Sequence, residues 1–125
     1  MRKSRMALGT GLIASLLAAL ALATWTTASA APSKLKGTVG PGETIALKTA
    51  AGKKVSLISR GTYTITVTDR SREHNFYLSG PGTKKQITGV RFVGSKTVTV
   101  RLAPGKYRFV CVPHADDMRG AFTVR

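Results

Sequence analysis

Sulfur-bearing and imidazole side chains are scarce in this chain. Its 125 residues include one cysteine, two histidines and three methionines. A single cysteine cannot form a disulfide within the chain, so a fold stabilised by internal disulfides is excluded. Three interpretations of Cys111 remain: a disulfide to another chain, a buried inert thiol, or a metal ligand.

Acidic residues are scarce as well. Five Asp and Glu stand against 20 Lys and Arg. A basic chain can bind nucleic acid, but no nucleic-acid-binding motif is present, and beyond the N-terminal segment the pairs Lys53-Lys54 and Lys84-Lys85 are separated by scattered single charges. We therefore expect no nucleic acid partner. A solvated basic surface and a specific anionic partner both remain open.

The N-terminal segment has the pattern of a secretory signal peptide. Three basic residues among the first five positions precede an uncharged, Leu- and Ala-rich run over residues 7–23, and Ala28-Ser29-Ala30 provides the small residues of a cleavage site. The pattern predicts a signal peptide over residues 1–30, cleaved after Ala30. The alternative is an uncleaved membrane anchor, because the apolar run approaches the length that spans a bilayer. Without a twin-arginine pair, we expect export of the unfolded chain to the periplasm or the extracellular side of the cell envelope.

The remaining 95 residues can form one small hydrophobic core. Three of the 20 basic residues leave with residues 1–30 and all five acidic residues stay, so the mature net charge is +12. Residues 31–38 are polar and are expected to form a short tail. Residues 39–125 are expected to form a single domain.

Side-chain alternation indicates strands throughout this domain. In the segment from Gly61 to Val67, the residues Tyr63, Ile65 and Val67 share one face and threonines occupy the other. Similar short segments, separated by Gly and Pro turns, cover 44–47, 55–57, 98–102, 107–111 and 121–124, and a short edge strand is expected around 90–93. No helical periodicity of useful length is present. The pattern predicts an all-β fold, an antiparallel sandwich of two sheets.

Four side chains suited to a soft metal ion lie in two short segments. His74 follows the strand that starts at Gly61, while Cys111, His114 and Met118 share one loop between two predicted strands. Two imidazoles and a thiolate with a weak axial thioether form an electron-transfer copper site. Structural zinc fits less well, because a closed zinc site has little use for methionine.

Each of these residues has an ordinary alternative interpretation. A lone Cys in a strand is usually a small buried hydrophobic residue, a His beside Asn is usually a turn residue, and a single Met usually packs in the core. The ligand interpretation is favoured because the mature chain has no other His, Cys or Met, and all four can gather at one end of the sandwich. Asp116 and Asp117 are expected to be solvated loop charges.

Two neighbours of the ligands can support the site. Asn75 can either cap its own loop or bond across to the Cys111 loop and hold the two ligand segments together. Pro113 has no N–H to donate to the Cys111 sulfur, and it stiffens the loop.

The segments His74-Asn75-Phe76, Pro104 to His114, Met118 and Gly120 to Val124 together resemble the plastocyanin-like branch of the cupredoxins, the type 1 or blue copper proteins. The resemblance covers about residues 39–125. It implies a Greek-key sandwich, one type 1 copper ion, and electron entry through the exposed edge of His114. The three residues between His114 and Met118 differ from the spacing of plastocyanins, so the approach of the axial ligand is left open.

The predicted function is therefore single-electron transfer between redox partners by an exported copper protein. We expect no enzymatic activity, because multicopper oxidases and copper nitrite reductases need further histidines. The net charge favours an acidic redox partner, and a monomer is expected. The alternatives are a copper carrier or buffer that has the same site and contacts anionic envelope surfaces, and a metal-free structural sandwich. The sequence does not separate the shuttle from the carrier.

Overall fold

The computed structural model describes residues 23–125, together with residues 4, 9 and 11 of the preceding segment. Residues 23–32 are exposed and lie outside any strand or helix. Most of the apolar run of the predicted signal peptide lies outside the described residues, so the signal peptide and its cleavage after Ala30 stay predictions. Within the part of the chain that is described, no helix is long and apolar enough to cross a membrane.

The described residues form nine strands and one short 3-10 helix. The strands pack as two sheets, which confirms the predicted all-β sandwich. The strands are β1 Ser33–Val39, β2 Ile45–Thr49, β3 Leu57–Ile58, β4 Gly61–Asp69, β5 Phe76–Gly80, β6 Thr83–Thr88, β7 Gly94–Leu102, β8 Gly105–Val110 and β9 Arg119–Val124, and the 3-10 helix is Val112–His114.

Each sheet contains one parallel pair among its antiparallel pairs. The first sheet has the order β2-β1-β4-β7 and the second has the order β3-β9-β8-β5-β6. β1 runs parallel to β4, and β3 runs parallel to β9. The alternation of side chains could not reveal these pairs, because side chains alternate with period two in parallel and antiparallel strands alike.

The N-terminal tail predicted over residues 31–38 is wrong for most of its length. Residues 33–38 belong to β1, which lies between β2 and β4 in the sheet. Leu35 is only 3% exposed and Val39 is fully buried, while Lys34 and Lys36 point to solvent. A strand with one solvated face needs only every second residue to be apolar. The lysines at alternate positions therefore make β1 resemble a polar tail in the sequence.

The edge strand expected around residues 90–93 is also misplaced. The second sheet ends in β6, Thr83–Thr88, and residues 89–93 form the connection to β7. Lys84, Lys85 and Gln86 are exposed on β6, so only Ile87 and Thr88 bury side chains. An edge strand this polar is expected to avoid pairing with other chains, but it has little apolar alternation to be recognised by.

Aromatic rings form a row through the core. Phe76 stacks on Phe109 with 5.5 Å between ring centroids, and Tyr107 stacks on Phe122 at 5.2 Å. Phe109 and Phe122 join the two pairs at 6.4 Å. Gly120 leaves room for the row, because a Cβ atom there would overlap the Phe109 ring. The row begins at Phe76, two residues after His74 in the chain.

The connections between strands lie at two opposite ends of the sandwich. At one end lie residues 40–44, 70–75, 89–93 and 111–118, which we call the β4–β5 end. At the other lie residues 50–56, 59–60, 81–82 and 103–104, which we call the β3–β4 end. All four predicted ligands belong to the β4–β5 end.

Candidate metal centre

Three donor atoms meet at the β4–β5 end. The Cys111 Sγ lies 3.6 Å from the Nδ1 of His74 and 3.6 Å from the Nδ1 of His114. The two Nδ1 atoms are 3.0 Å apart. The imidazole rings meet edge to face, with an angle of 76° between their planes. Both rings therefore direct the same nitrogen towards the thiol sulfur.

This triangle has the size of a metal site. For sides of 3.0, 3.6 and 3.6 Å, the point equidistant from the three atoms lies about 2.0 Å from each, which matches protein metal–nitrogen bonds and is slightly shorter than metal–thiolate bonds. His74, Cys111 and His114 are the group of potential metal ligands found among the described residues. No carboxylate of that part of the chain joins them.

The Cys111–Met118 loop is closed by its own backbone. The Cys111 N–H donates to the Met118 carbonyl at 2.9 Å, and the Met118 N–H donates to the His114 carbonyl at 2.8 Å. A further bond of 3.0 Å from the His114 N–H to the Cys111 carbonyl begins the 3-10 turn. These bonds hold the three residues at fixed separations.

His74 reaches the cluster through two consecutive side-chain turns. The carboxylate oxygen Oδ1 of Asp69 accepts from the Ser71 N–H at 3.1 Å, and the Ser71 hydroxyl accepts from the Glu73 N–H at 3.1 Å. Such turns let Asp and Ser redirect the backbone over a few residues. These turns direct the chain from the end of β4 into the core, where His74 is only 4% exposed.

Asn75 joins the two ligand segments. Its Oδ1 accepts from the Val112 N–H at 2.7 Å, and its Nδ2 donates to the Gln86 Oε1 at 3.3 Å. The first bond is the cross-loop bond considered in the sequence analysis, and Asn75 itself is buried. The bond places a fixed link one residue from His74 on one side and one residue from Cys111 on the other.

Two supporting residues carried no signal in the sequence. Thr88 is fully buried, and its hydroxyl accepts from the Phe76 N–H at 3.0 Å. The Gln86 Oε1 accepts a hydrogen bond from the Asn75 Nδ2. Both lie on β6, whose pairing with β5 is irregular between Phe76 and Tyr77. The irregularity leaves the Phe76 N–H free to donate to the Thr88 hydroxyl. No residue pattern in β6 predicts this irregularity.

Met118 and Pro113 differ in their exposure to solvent. Met118 is fully buried and belongs to the core, while Pro113 is exposed. The Met118 carbonyl accepts from the Cys111 N–H, so the Met118 backbone lies next to Cys111. Asp116 and Asp117 are exposed, as solvated loop charges would be.

The surface above the cluster is small and apolar. His114 is half-buried, and it lies between the exposed Pro113 and Ala115. Val112 is 55% exposed. His114 is thus the only one of the three cluster residues with appreciable contact with solvent.

Solved structures show which fold this is. A methionine-to-glutamine mutant of rusticyanin is 21% identical and matches 78% of this chain and 80% of its own, with a TM-score of 0.55. Reduced rusticyanin is 20% identical, with coverages of 78% and 82% and a TM-score of 0.52. Auracyanin A, a "blue" copper protein from Chloroflexus aurantiacus, is 18% identical, with coverages of 76% and 100% and a TM-score of 0.52. No family model and no curated protein matches the chain.

The chain has the cupredoxin fold. This confirms at the level of the fold the resemblance drawn from the ligand segments. The donor set of two imidazole nitrogens and one thiol sulfur fits a single type 1 copper ion. A closed structural zinc site would require a fourth nitrogen, thiolate or carboxylate donor, which the cluster lacks among the described residues.

Proposed function

We propose that the chain binds one copper ion through His74, Cys111 and His114, with Met118 as a weak axial ligand, and that it transfers single electrons. The observation that carries this proposal is the triangle of donor atoms, whose centre lies about 2.0 Å from each. Bound copper would supply a couple between Cu(I) and Cu(II).

The surrounding protein suits electron transfer because it holds the donors in one arrangement. The backbone bonds of the Cys111–Met118 loop and the bond from Val112 to Asn75 constrain both ligand segments. A site that keeps its geometry in both oxidation states needs little reorganisation when an electron moves. Burial of Cys111 and His74 also keeps bulk water away from the thiolate and its neighbour.

Electrons would enter and leave at His114. Its half-buried ring is framed by Val112, Pro113 and Ala115, so a partner could approach the ring over a small apolar surface. We propose no enzymatic activity, since the two histidines of the chain are both used and no further metal site can be built from them. Export to the periplasm or cell envelope is part of the same proposal, supported by the pattern of residues 1–30.

The first test is the visible spectrum after addition of Cu(II). A trigonal site with one thiolate should give intense colour from charge transfer between sulfur and copper, and it should saturate at one equivalent. Cys111→Ala should abolish the colour, whereas Met118→Leu is the matched control that leaves the thiolate in place and should remain coloured. A colourless complex, or colour that survives Cys111→Ala, would refute the proposed site.

A second measurement separates an electron shuttle from a copper carrier. Oxidised and reduced protein are mixed to obtain the rate of electron self-exchange, and loss of copper to an external chelator is followed under the same conditions. A shuttle should exchange electrons many times before copper is lost. If copper passes to the chelator faster than electrons pass between molecules, the site belongs to a carrier.

A further inference from the structure

The acidic side chains of the protein are all at one end. Glu43 lies in the connection after β1, Asp69 ends β4, Glu73 lies in the connection to β5, and Asp116 and Asp117 lie in the Cys111–Met118 loop. All five belong to the β4–β5 end, which also holds the cluster. Basic residues are equally numerous there, so this end is close to neutral; they are Arg70, Arg72, Arg91, Arg119 and Lys96, whose Nζ lies over the Phe92 ring.

The β3–β4 end has the opposite character. Its basic residues come from four strands, two connections and the C-terminal residue, and all are exposed: Lys34, Lys53, Lys54, Arg60, Lys84, Lys85, Arg101, Lys106 and Arg125. No acidic side chain of the described chain lies among them. The net charge of residues 31–125, +12, is therefore concentrated at the end opposite the cluster and along the sides of the sandwich.

The two ends act independently on a charged partner. β4 runs the length of the sandwich, and its nine residues span roughly 26 Å. Interactions between exposed charges are screened over about 8 Å at physiological ionic strength. A partner at His114 therefore meets the balanced charges of the β4–β5 end, and the basic end attracts a different surface.

The chain enters the domain at the basic end. Residues 30–33 line a shallow groove with Arg60, Gly61 and Tyr63 at the start of β4. The predicted signal peptide or anchor, residues 1–30, is thus joined to the protein beside the basic side chains. If that segment remains in a membrane after export, the domain folds with this end next to the membrane.

We propose that the β3–β4 end docks on an anionic phospholipid surface, with the cluster facing away from it. Clustered Lys and Arg without neighbouring carboxylates are what an anionic lipid surface attracts. The orientation leaves His114 open to soluble partners. The acidic redox partner expected from the net charge alone would meet balanced acidic and basic side chains if it approached His114, so the net charge does not draw it there and the charge distribution favours the membrane.

The test is binding of the purified protein, with its N-terminus determined by mass spectrometry, to lipid vesicles. Vesicles of phosphatidylglycerol and phosphatidylcholine are compared with vesicles of phosphatidylcholine alone over a salt series. Binding should require phosphatidylglycerol and weaken steeply with salt. Combining Arg60→Gln, Lys84→Gln and Lys106→Gln should weaken binding about a hundredfold, since each basic residue at an anionic surface contributes a factor of roughly five.

The matched control removes the same charge from the other end through Arg70→Gln, Arg72→Gln and Arg91→Gln. This variant should bind the vesicles nearly as well as the unaltered protein. Equal weakening by both triple variants would show that vesicle binding depends on the net charge of the protein and not on where the charge lies, and would overturn the proposal. So would binding to an acidic redox protein that is lost in the first variant while vesicle binding is unaffected. Thermal unfolding of both variants establishes that they are folded, and neither result depends on copper.

Discussion

The two segments that supply the cluster differ in how they are held. His74 is buried between the turns after β4 and the core, and its neighbour Asn75 is buried as well. His114 lies on a loop that is closed by its own backbone bonds and is half-open to solvent. The distances from both imidazoles to the Cys111 sulfur are nevertheless equal at 3.6 Å.

Equal distances with unequal burial indicate a division of roles between the two histidines. His74 is fixed by packing and belongs to the interior, so its contribution is to hold an ion in place. His114 is held by the loop and reaches the surface, so we expect it also to contact a partner protein. The following substitutions are chosen to test this difference.

The largest effect is expected from removing either imidazole. His74→Gly and His114→Gly should each weaken copper binding by more than about a hundredfold, because each removes one of three strong donors. Added imidazole should restore the visible colour in His114→Gly, since the vacated space opens to solvent. It should fail in His74→Gly, where the space is enclosed. Copper titrations with and without imidazole measure both effects, and equal rescue of the two variants would abolish the distinction.

A smaller effect is expected at the link between the segments. Asn75→Ala removes the acceptor for the Val112 N–H and should lower copper affinity roughly 10- to 100-fold, as loss of a supporting hydrogen bond does at other metal sites. Gln86→Ala is the matched control, because it removes only the 3.3 Å bond on the far side of Asn75. Competition with a chelator of known affinity measures both. Similar losses in the two variants would mean that the link to Val112 is not what holds the segments together.

The smallest effect on affinity is expected at Met118. A weak axial ligand contributes little to binding but tunes the redox potential. Met118→Gln should therefore keep the copper and lower the potential, because an amide oxygen favours Cu(II) more than a thioether does. Voltammetry gives the potential, and a copper titration gives the affinity. A loss of affinity as large as that in His74→Gly would place Met118 among the strong donors.

The sequence predicted the candidate site better than it predicted the strands. The cluster of His74, Cys111 and His114 could be predicted because residues 31–125 contain so few His and Cys, and scarcity leaves few combinations. β1 was missed because Lys34, Lys36 and Thr38, which alternate with Leu35, Gly37 and Val39, made it look like a polar tail. Gln86 and Thr88 were missed because their roles depend on an irregular pairing that only the assembled sheet creates.

The separation of charge could not be predicted from the net charge. The five acidic residues are spread between positions 43 and 117, and nothing in their spacing shows that they share one end. Their meeting depends on the strand order, in which the connections after β1, β4 and β8 converge. A charge sum of +12 suggested attraction of acidic proteins to the cluster, whereas the fold places the excess positive charge elsewhere.

The parallel pairing of β3 with β9 has a consequence for the order of folding. Leu57 lies opposite Thr123, so the second sheet cannot be completed until the final strand is available. The same strand follows Met118 directly, and the Cys111–Met118 loop is closed between β8 and β9. Pairings this distant in sequence make folding slow, because a long loop must close before any contact rewards it. A chain that folds late remains threadable through a translocation channel, as the predicted export of the unfolded chain would require.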